Sequence, residues 1–158
     1  MSEIKDRDNL LFCYEHLRKE ALISEELVFA MLANSCVETG GTFDYTTKQV
    51  GRSDPAIGLF QFDPRGGLYS LYMDYLDSMG MDDSAESQMD MMVDILTLSW
   101  DKGVNHIGRG NVSKVILAAE EGAEEATRVF CDRILRPGKP HIERRLAALN
   151  EIMQCFSQ

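Results

Sequence analysis

Apolar residues recur at intervals of three and four over most of the chain, which predicts a mainly helical protein. The first helix is expected from about Leu10 to Ala21. The second begins after Ser24, a residue type that favours N-caps, and ends at Gly40-Gly41, since glycine pairs commonly terminate helices. The same signals predict further helices over 63–79 (with Asp63 as N-cap, Pro64 at the first helical position and clear helix over 68–79), 84–100, 113–122, 123–135 and 141–155.

Several of these helices carry apolar faces that we expect to point towards a core. The residues concerned are Leu10, Cys13 and Leu17 in the first helix, Leu27, Val28, Met31, Leu32 and Ser35 in the second, Met89, Met92, Val93 and Leu96 in helix 84–100, and Ile142, Leu146, Leu149 and Met153 in the last.

The helical period disappears between residues 42 and 61. Gly51, Pro55 and Gly58 punctuate this segment, so it is expected to form turns, with a short β-hairpin as the alternative. We therefore expect a single helical domain over residues 1–158 that carries one small irregular or β insert.

The charge balance limits the classes of partner. Sixteen Lys and Arg residues face 26 Asp and Glu residues, so the formal net charge is −10. This argues against a general nucleic-acid binder, which needs a cationic surface. The charged N-terminus and the lack of a long apolar run predict no signal peptide, no membrane insertion and synthesis in a cytoplasm. The four widely spaced cysteines favour reduced, mostly buried thiols over disulfides or a zinc site.

Glu38 is the most interesting candidate for chemistry. It lies in the last turn of the second predicted helix, where the helix dipole disfavours an ionised carboxylate. Partial burial acts in the same direction, and a glutamate with a raised pKa can serve as a general acid in glycoside cleavage. The plainer alternative is a solvent-exposed glutamate near a helix end.

The neighbourhood of Glu38 resembles the phage tail lysozyme family of the lysozyme superfamily. Residues 33–39 (Ala-Asn-Ser-Cys-Val-Glu-Thr) are similar to its G-N-x-x-x-E-S stretch, and residues 58–63 (Gly-Leu-Phe-Gln-Phe-Asp) to its G-L-x-Q-W-T stretch. Phe130 and Arg136-Pro137-Gly138 correspond to the aromatic residue and E-R-P-G turn before its closing helix. Arg144 or Arg145, with Ala147, fits the R-x-x-A pattern of that helix, so the resemblance covers about residues 8–153. The departures are Ala33 for Gly, Thr39 for Ser, Phe62 for Trp, and Ile134-Leu135 for Tyr-Glu.

This resemblance implies a lysozyme-like helical domain in which the insert forms one wall of a cleft. It implies a muramidase that cuts the MurNAc-β-1,4-GlcNAc bond with Glu38 as general acid and without metal or organic cofactor. Asp54 and Asp44 are candidate second catalytic carboxylates, whereas Asp63 already has a role as N-cap. Asn34, one turn before Glu38, can hydrogen-bond it. The candidate substrate-binding residues are Asn34, Gly58, Leu59, Phe60, Gln61 and Phe62.

Two alternatives stay open at this point. One is a lytic transglycosylase that uses the same Glu38, and the other is a non-catalytic glycan-binding or virion structural module. The expected partners are the peptidoglycan glycan strand and other virion proteins. Because an acidic lysozyme lacks electrostatic attraction to an anionic wall, the charge favours a virion-attached enzyme over a freely diffusing one.

Overall fold

The computed structural model describes residues 2–157, and helices account for most of them. The prediction of a mainly helical fold is confirmed. The helices within this range are α1 (Arg7–Arg18), α2 (Glu25–Glu38), α3 (Leu68–Met79), α4 (Ala85–Leu96), α5 (Asp101–Ile107), α6 (Arg109–Glu121), α7 (Ala123–Phe130), a π-helical turn (Cys131–Leu135) and α8 (Ile142–Phe156).

Helix α2 lies at the centre of the core. Its residues from Leu27 to Cys36 are all buried, and it packs mainly against α7 and α8. A helix that is buried all round needs apolar or small residues on every face, so the predicted stripe is only part of its buried surface. The predicted cap is confirmed, because the Ser24 hydroxyl accepts a hydrogen bond from the backbone N–H of Leu27.

Several helix boundaries differ from the predictions, and two of them lie next to a residue with a positive φ angle. Helix α1 ends at Arg18, before the predicted Ala21, and α4 ends at Leu96 because Leu98 has a φ of 61°. The short α5 was not expected. Helix α6 begins at Arg109 and not at Ser113, directly after Gly108, whose φ of 102° separates it from α5.

The buried face of α8 also differs from the prediction. The buried residues are Arg145, Ala148, Leu149 and Ile152, whereas Met153 is 39% exposed. Of the four predicted inward residues, Leu149 alone is fully buried. The buried face of α8 is turned relative to the predicted one because the helix buries an arginine. Apolar periodicity assigns an arginine to the solvent side.

The insert, residues 42–67, is irregular. Two isolated antiparallel bridges, Lys48 with Ile57 and Ile57 with Phe62, are its β-like pairings. The prediction of Asp63 as the N-cap of a helix is wrong. Helix α3 begins at Leu68 with Gly67 as its cap, and the Asp63 carboxylate instead accepts a hydrogen bond from the N–H of Arg65, two residues later. The two glycines before Leu68 allow turns that postpone the helix.

All four cysteines are free thiols, and Cys13, Cys36 and Cys131 are buried, as expected. Between residues 2 and 157, none of the helices has the length and apolarity needed to cross a bilayer.

Candidate active site

A cleft of about 510 Å³ brings together the insert, the end of α2, α5 and the segment from the π-helical turn to Gly138. Among the described residues that line it, Glu38 and Asp63 supply the carboxylates. The cleft therefore combines the two regions in which the sequence places its candidate chemistry.

Glu38 is the last residue of α2, and its side chain is 14% exposed. Its Oε2 forms an ion pair with Nη2 of Arg145 at 2.9 Å. Its Oε1 has no hydrogen-bond partner in the part of the chain that the structure describes. The next residue, Thr39, closes the helix: its hydroxyl donates to the carbonyl of Ser35 at 2.8 Å and accepts from the N–H of Phe43 at 2.9 Å. The Thr39 hydroxyl thus ties the end of α2, where Glu38 lies, both to the preceding helical turn and to the loop that follows.

The pKa of Glu38 is raised above the ordinary value for glutamate. Burial is the largest cause, because desolvation penalises the charged form. The positive charges of Arg145 and, more weakly, His141 oppose this effect without reversing it. The carboxyl therefore has the tendency to hold a proton that a general acid requires.

Arg145 is buried with 1% of its surface exposed, and every one of its nitrogens is engaged. Besides the bond to Glu38, Nε donates to the carbonyl of Pro140 at 2.6 Å, and Nη1 donates to Oδ1 of Asn34 at 3.1 Å. A buried arginine is tolerated when its donors are satisfied and its charge is paired, and both conditions hold here. The pairing joins the beginning of α8 to the end of α2.

Asn34, a candidate substrate-binding residue, is fully buried and does not line the cleft. Its Nδ2 donates to the carbonyls of Ala30 at 2.8 Å and Thr127 at 3.2 Å, and its Oδ1 accepts from Arg145. The predicted hydrogen bond from Asn34 to Glu38 is also absent from the described contacts. Asn34 acts on Glu38 through Arg145.

The predicted sugar-binding stretch divides into two groups. Phe60 and Gln61 line the cleft, whereas Gly58, Leu59 and Phe62 do not. Leu59 and Phe62 are core residues, with 1% and 0% exposure. The Nε2 of Gln61 donates to the carbonyls of Gly58 and Thr47, and its Oε1 has no partner within residues 2–157.

Gly58 is required by a neighbouring side chain. Its φ is 89°, and a Cβ there would lie 2.4 Å from Oε1 of Gln88. That same oxygen accepts a hydrogen bond from the N–H of Leu59 at 2.8 Å, while Nε2 of Gln88 donates to the carbonyl of Tyr45 at 3.1 Å. Gln88 of α4 thus fastens the insert to the core.

The two candidate second carboxylates lie outside the cleft lining. Asp44 accepts hydrogen bonds from the hydroxyl and the N–H of Thr46, which lower its pKa. Asp54 is 53% exposed and lies 3.7 Å from Arg52. Asp63 does line the cleft, but Arg52 and Arg65 contact its carboxylate at 3.4 and 3.3 Å.

Arginines and a histidine of the cleft were not among the predicted site residues. Arg133, Arg136 and His106 line it, although the chain as a whole is strongly acidic. The role of Arg145 was likewise missed beyond its place in a family pattern. One signal was available in the sequence: Arg145 begins a stripe with Ala148, Leu149 and Ile152, at the spacing of one buried helix face.

Comparisons with known proteins give one informative result. Neither the curated proteins nor the solved structures include a match to this chain. The model of the family described as phage tail lysozyme matches residues 8–156, which is nearly the whole chain. This agrees with the motifs around Glu38 and supports a lysozyme-like role in degrading peptidoglycan. The chain belongs to the phage tail lysozyme family.

Proposed function

We propose that the protein is a muramidase that cuts the MurNAc-β-1,4-GlcNAc bond of peptidoglycan, with Glu38 as general acid. The observation that carries the proposal is the state of the Glu38 carboxyl. It is largely buried, its pKa is raised, and one of its oxygens has no partner among the described residues while the side chain lines a cleft. A raised pKa and a carboxyl oxygen without a partner in a cleft are properties that a general acid requires.

In this mechanism the proton of Glu38 passes to the glycosidic oxygen as the bond to C1 of the muramic acid breaks. The leaving sugar departs with a hydroxyl group, and positive charge develops on the muramyl ring. Glu38, now a carboxylate, accepts a proton from the water that attacks C1. Arg145 stabilises this anionic form, because its guanidinium lies 2.9 Å away.

Two residues of the insert are suited to hold the sugar. Phe60 offers an apolar ring at the cleft, and Gln61 offers an amide oxygen that can accept a hydrogen bond from an acetamido N–H or a hydroxyl. The contribution of Gln61 is orientation, since its Nε2 is already used to hold the insert backbone.

A lytic transglycosylase is the second candidate, and one observation favours it. Asp63, the other carboxylate of the cleft, is contacted by two arginines, which leaves Glu38 as the one described cleft acid with a carboxyl oxygen free of partners. A transglycosylase needs no second carboxylate to place water. Glu38 first protonates the leaving oxygen and then removes the proton from the muramyl 6-hydroxyl, which attacks C1 and closes an anhydro ring. Mass spectrometry separates the two reactions, because the anhydro product is lighter by one water.

The decisive experiment is Glu38→Gln in a turbidity-clearing assay on purified peptidoglycan. We expect the rate to fall by about 10²–10⁴-fold, since a glutamine cannot donate a proton in general acid catalysis. Asp44→Asn and Asp54→Asn are the matched controls, and each should keep most of the activity because neither residue lines the cleft. Full activity of Glu38→Gln overturns the proposal. An inactive wild type that still sediments with peptidoglycan would indicate a non-catalytic glycan-binding module.

We further infer that the protein acts as part of a virion and contacts other virion proteins. The family supports virion association, and the net charge of −10 gives the chain no electrostatic attraction of its own to an anionic wall. Detection of the chain in purified virions, with loss of wall clearing from virions that carry Glu38→Gln, tests this inference.

A further inference from the structure

We propose that Arg145 is the positioning residue of Glu38 and that it dictates which carboxyl oxygen carries the catalytic proton. This inference rests on the proposed function and adds the site of protonation to it. The geometry assigns the proton to Oε1 and leaves Oε2 as the oxygen held by the protein.

The assignment follows from the hydrogen-bonding capacity of arginine. A guanidinium has five N–H donors and no acceptor. An oxygen that faces it therefore serves as a hydrogen-bond acceptor and cannot point a proton towards it. Oε2 of Glu38 lies 2.9 Å from Nη2 of Arg145 and is therefore an acceptor in both protonation states. When the carboxyl is protonated, the proton resides on Oε1. This is the oxygen without a partner in the described chain, and it belongs to a side chain that lines the cleft.

The position of Arg145 is in turn imposed by the core. Its Nε is held by the carbonyl of Pro140 and its Nη1 by Asn34. The amide of Asn34 cannot turn over without loss, because its Nδ2 donates to the carbonyls of Ala30 and Thr127. Oδ1 must therefore face the arginine. The guanidinium is fixed by groups from α2 and from the segment before α8, and the carboxyl of Glu38 takes its orientation from it.

Other ionisable groups face the same region. His141 precedes α8, Arg133 and Arg136 belong to the π-helical turn and the residue after it, His106 belongs to α5, and Asp63 belongs to the insert. Arg145 is the one described residue whose side chain forms an ion pair with the carboxyl of Glu38. Its removal deletes the strongest influence that favours the carboxylate, so the pKa of Glu38 should rise further.

The test compares Arg145→Met, Arg145→Lys and Glu38→Gln as full chains, with Arg144→Met as the matched control. Arg144 is the adjacent residue, but it is 53% exposed and pairs with Glu3 on the surface. The rate of peptidoglycan clearing is measured against pH, circular dichroism checks the fold, and carbon NMR of labelled glutamate follows the titration of Glu38.

We expect Arg145→Met to reduce the rate by about 10- to 100-fold, the cost of a misplaced catalytic group. The alkaline limb of its pH–rate profile reports the ionisation of the general acid. This limb should move to higher pH together with the NMR titration of Glu38. Arg145→Lys keeps the charge and loses the planar fork, so its rate should fall while its alkaline limb stays near that of the wild type. Arg144→Met should match the wild type in both.

Each outcome bears on the proposal. The proposal is overturned if Arg145→Met folds and shows neither a shifted alkaline limb in its pH–rate profile nor a shifted titration of Glu38. The arginine would then have a purely structural role. If Arg145→Met does not fold, full activity of Arg145→Lys overturns the proposal and a reduced rate with an unmoved limb supports it. An active Glu38→Gln would instead sink the proposed function itself, whereas an inactive Glu38→Gln beside a fully active Arg145→Met would sink the positioning role alone.

Discussion

The two sides of the cleft are held by different kinds of interaction. On the helical side, Glu38, Arg145 and Asn34 form a chain of buried polar contacts among α2, α7 and α8. On the other side, the insert sends Leu59 and Phe62 into the core, is fastened to α4 by Gln88, and is braced internally by Arg52, which pairs with Asp63. The proposed acid thus depends on buried polar contacts between helices, whereas the proposed sugar-binding surface depends on apolar anchors and a few polar contacts of an irregular segment. Damage to the first should cost stability and rate, and damage to the second should cost binding.

The largest effect on stability is expected at Asn34. Asn34→Ala removes the acceptor of a buried arginine and the amide that bridges two helices, which should lower the free energy of unfolding by about 3 kcal/mol. Urea denaturation measures the change. Asn150→Ala, an exposed asparagine on α8, is the control and should stay within about 0.5 kcal/mol of the wild type. Equal losses from both variants would mean that the buried contacts of Asn34 add nothing to the stability of the helical side.

A smaller effect should come from the tether at Gly58. Gly58 and Gly51 have nearly equal φ angles, 89° and 86°, but a Cβ at Gly51 meets nothing within 4 Å. Gly51→Ala should therefore cost only the backbone term, about 1–2 kcal/mol. Gly58→Ala must also displace Gln88 from the N–H of Leu59, which adds about 1 kcal/mol. Thermal or urea unfolding of Gly51→Ala and Gly58→Ala tests whether Gln88 fastens the insert. Identical losses of unfolding free energy in the two variants would show that it does not.

The smallest change in stability is expected at Arg52. Arg52→Met frees Asp63 and Gln49 within the insert, and a partly exposed ion pair of this kind contributes no more than about 1 kcal/mol. The Michaelis constant for peptidoglycan should rise several-fold with kcat little changed, because the insert binds substrate without supplying the acid. Arg65→Met, which removes the more exposed partner of Asp63, should change both constants less. A fall in kcat alone for Arg52→Met would place chemistry on the insert.

The sequence predicted helix α2 well and the buried face of α8 poorly, for related reasons. Ser24 caps α2 and Gly40-Gly41 follows its end, and both signals act over a few residues. In α8, the burial of Arg145 turns a different face towards the core. Burying this arginine depends on Glu38 and on Asn34, which lies 111 positions away in the chain. Periodicity cannot register a charge that a distant partner neutralises.

The motif in the insert illustrates the same limit. Residues 58–63 are recognisable as a unit, yet Phe60 and Gln61 face the cleft while Leu59 and Phe62 enter the core. Without regular strand pairing, alternation along the chain does not reveal which side chains face the cleft. Gly58 is a candidate substrate-binding residue in the sequence, and its close neighbour in the fold is the side chain of Gln88.

The amino-acid sequence is enough to predict that the protein is mainly helical, where α2 begins and ends, and that Glu38 is the carboxylate to test. Helix caps, glycine stops and apolar spacing are local properties, so they can be recognised along the chain. The packing of the helices is what places Arg145 beside Glu38, buries Asn34 behind it, and leaves Asp44 and Asp54 away from the cleft. These outcomes depend on desolvation and on contacts between segments far apart in the chain, and neither can be evaluated before the helices are packed.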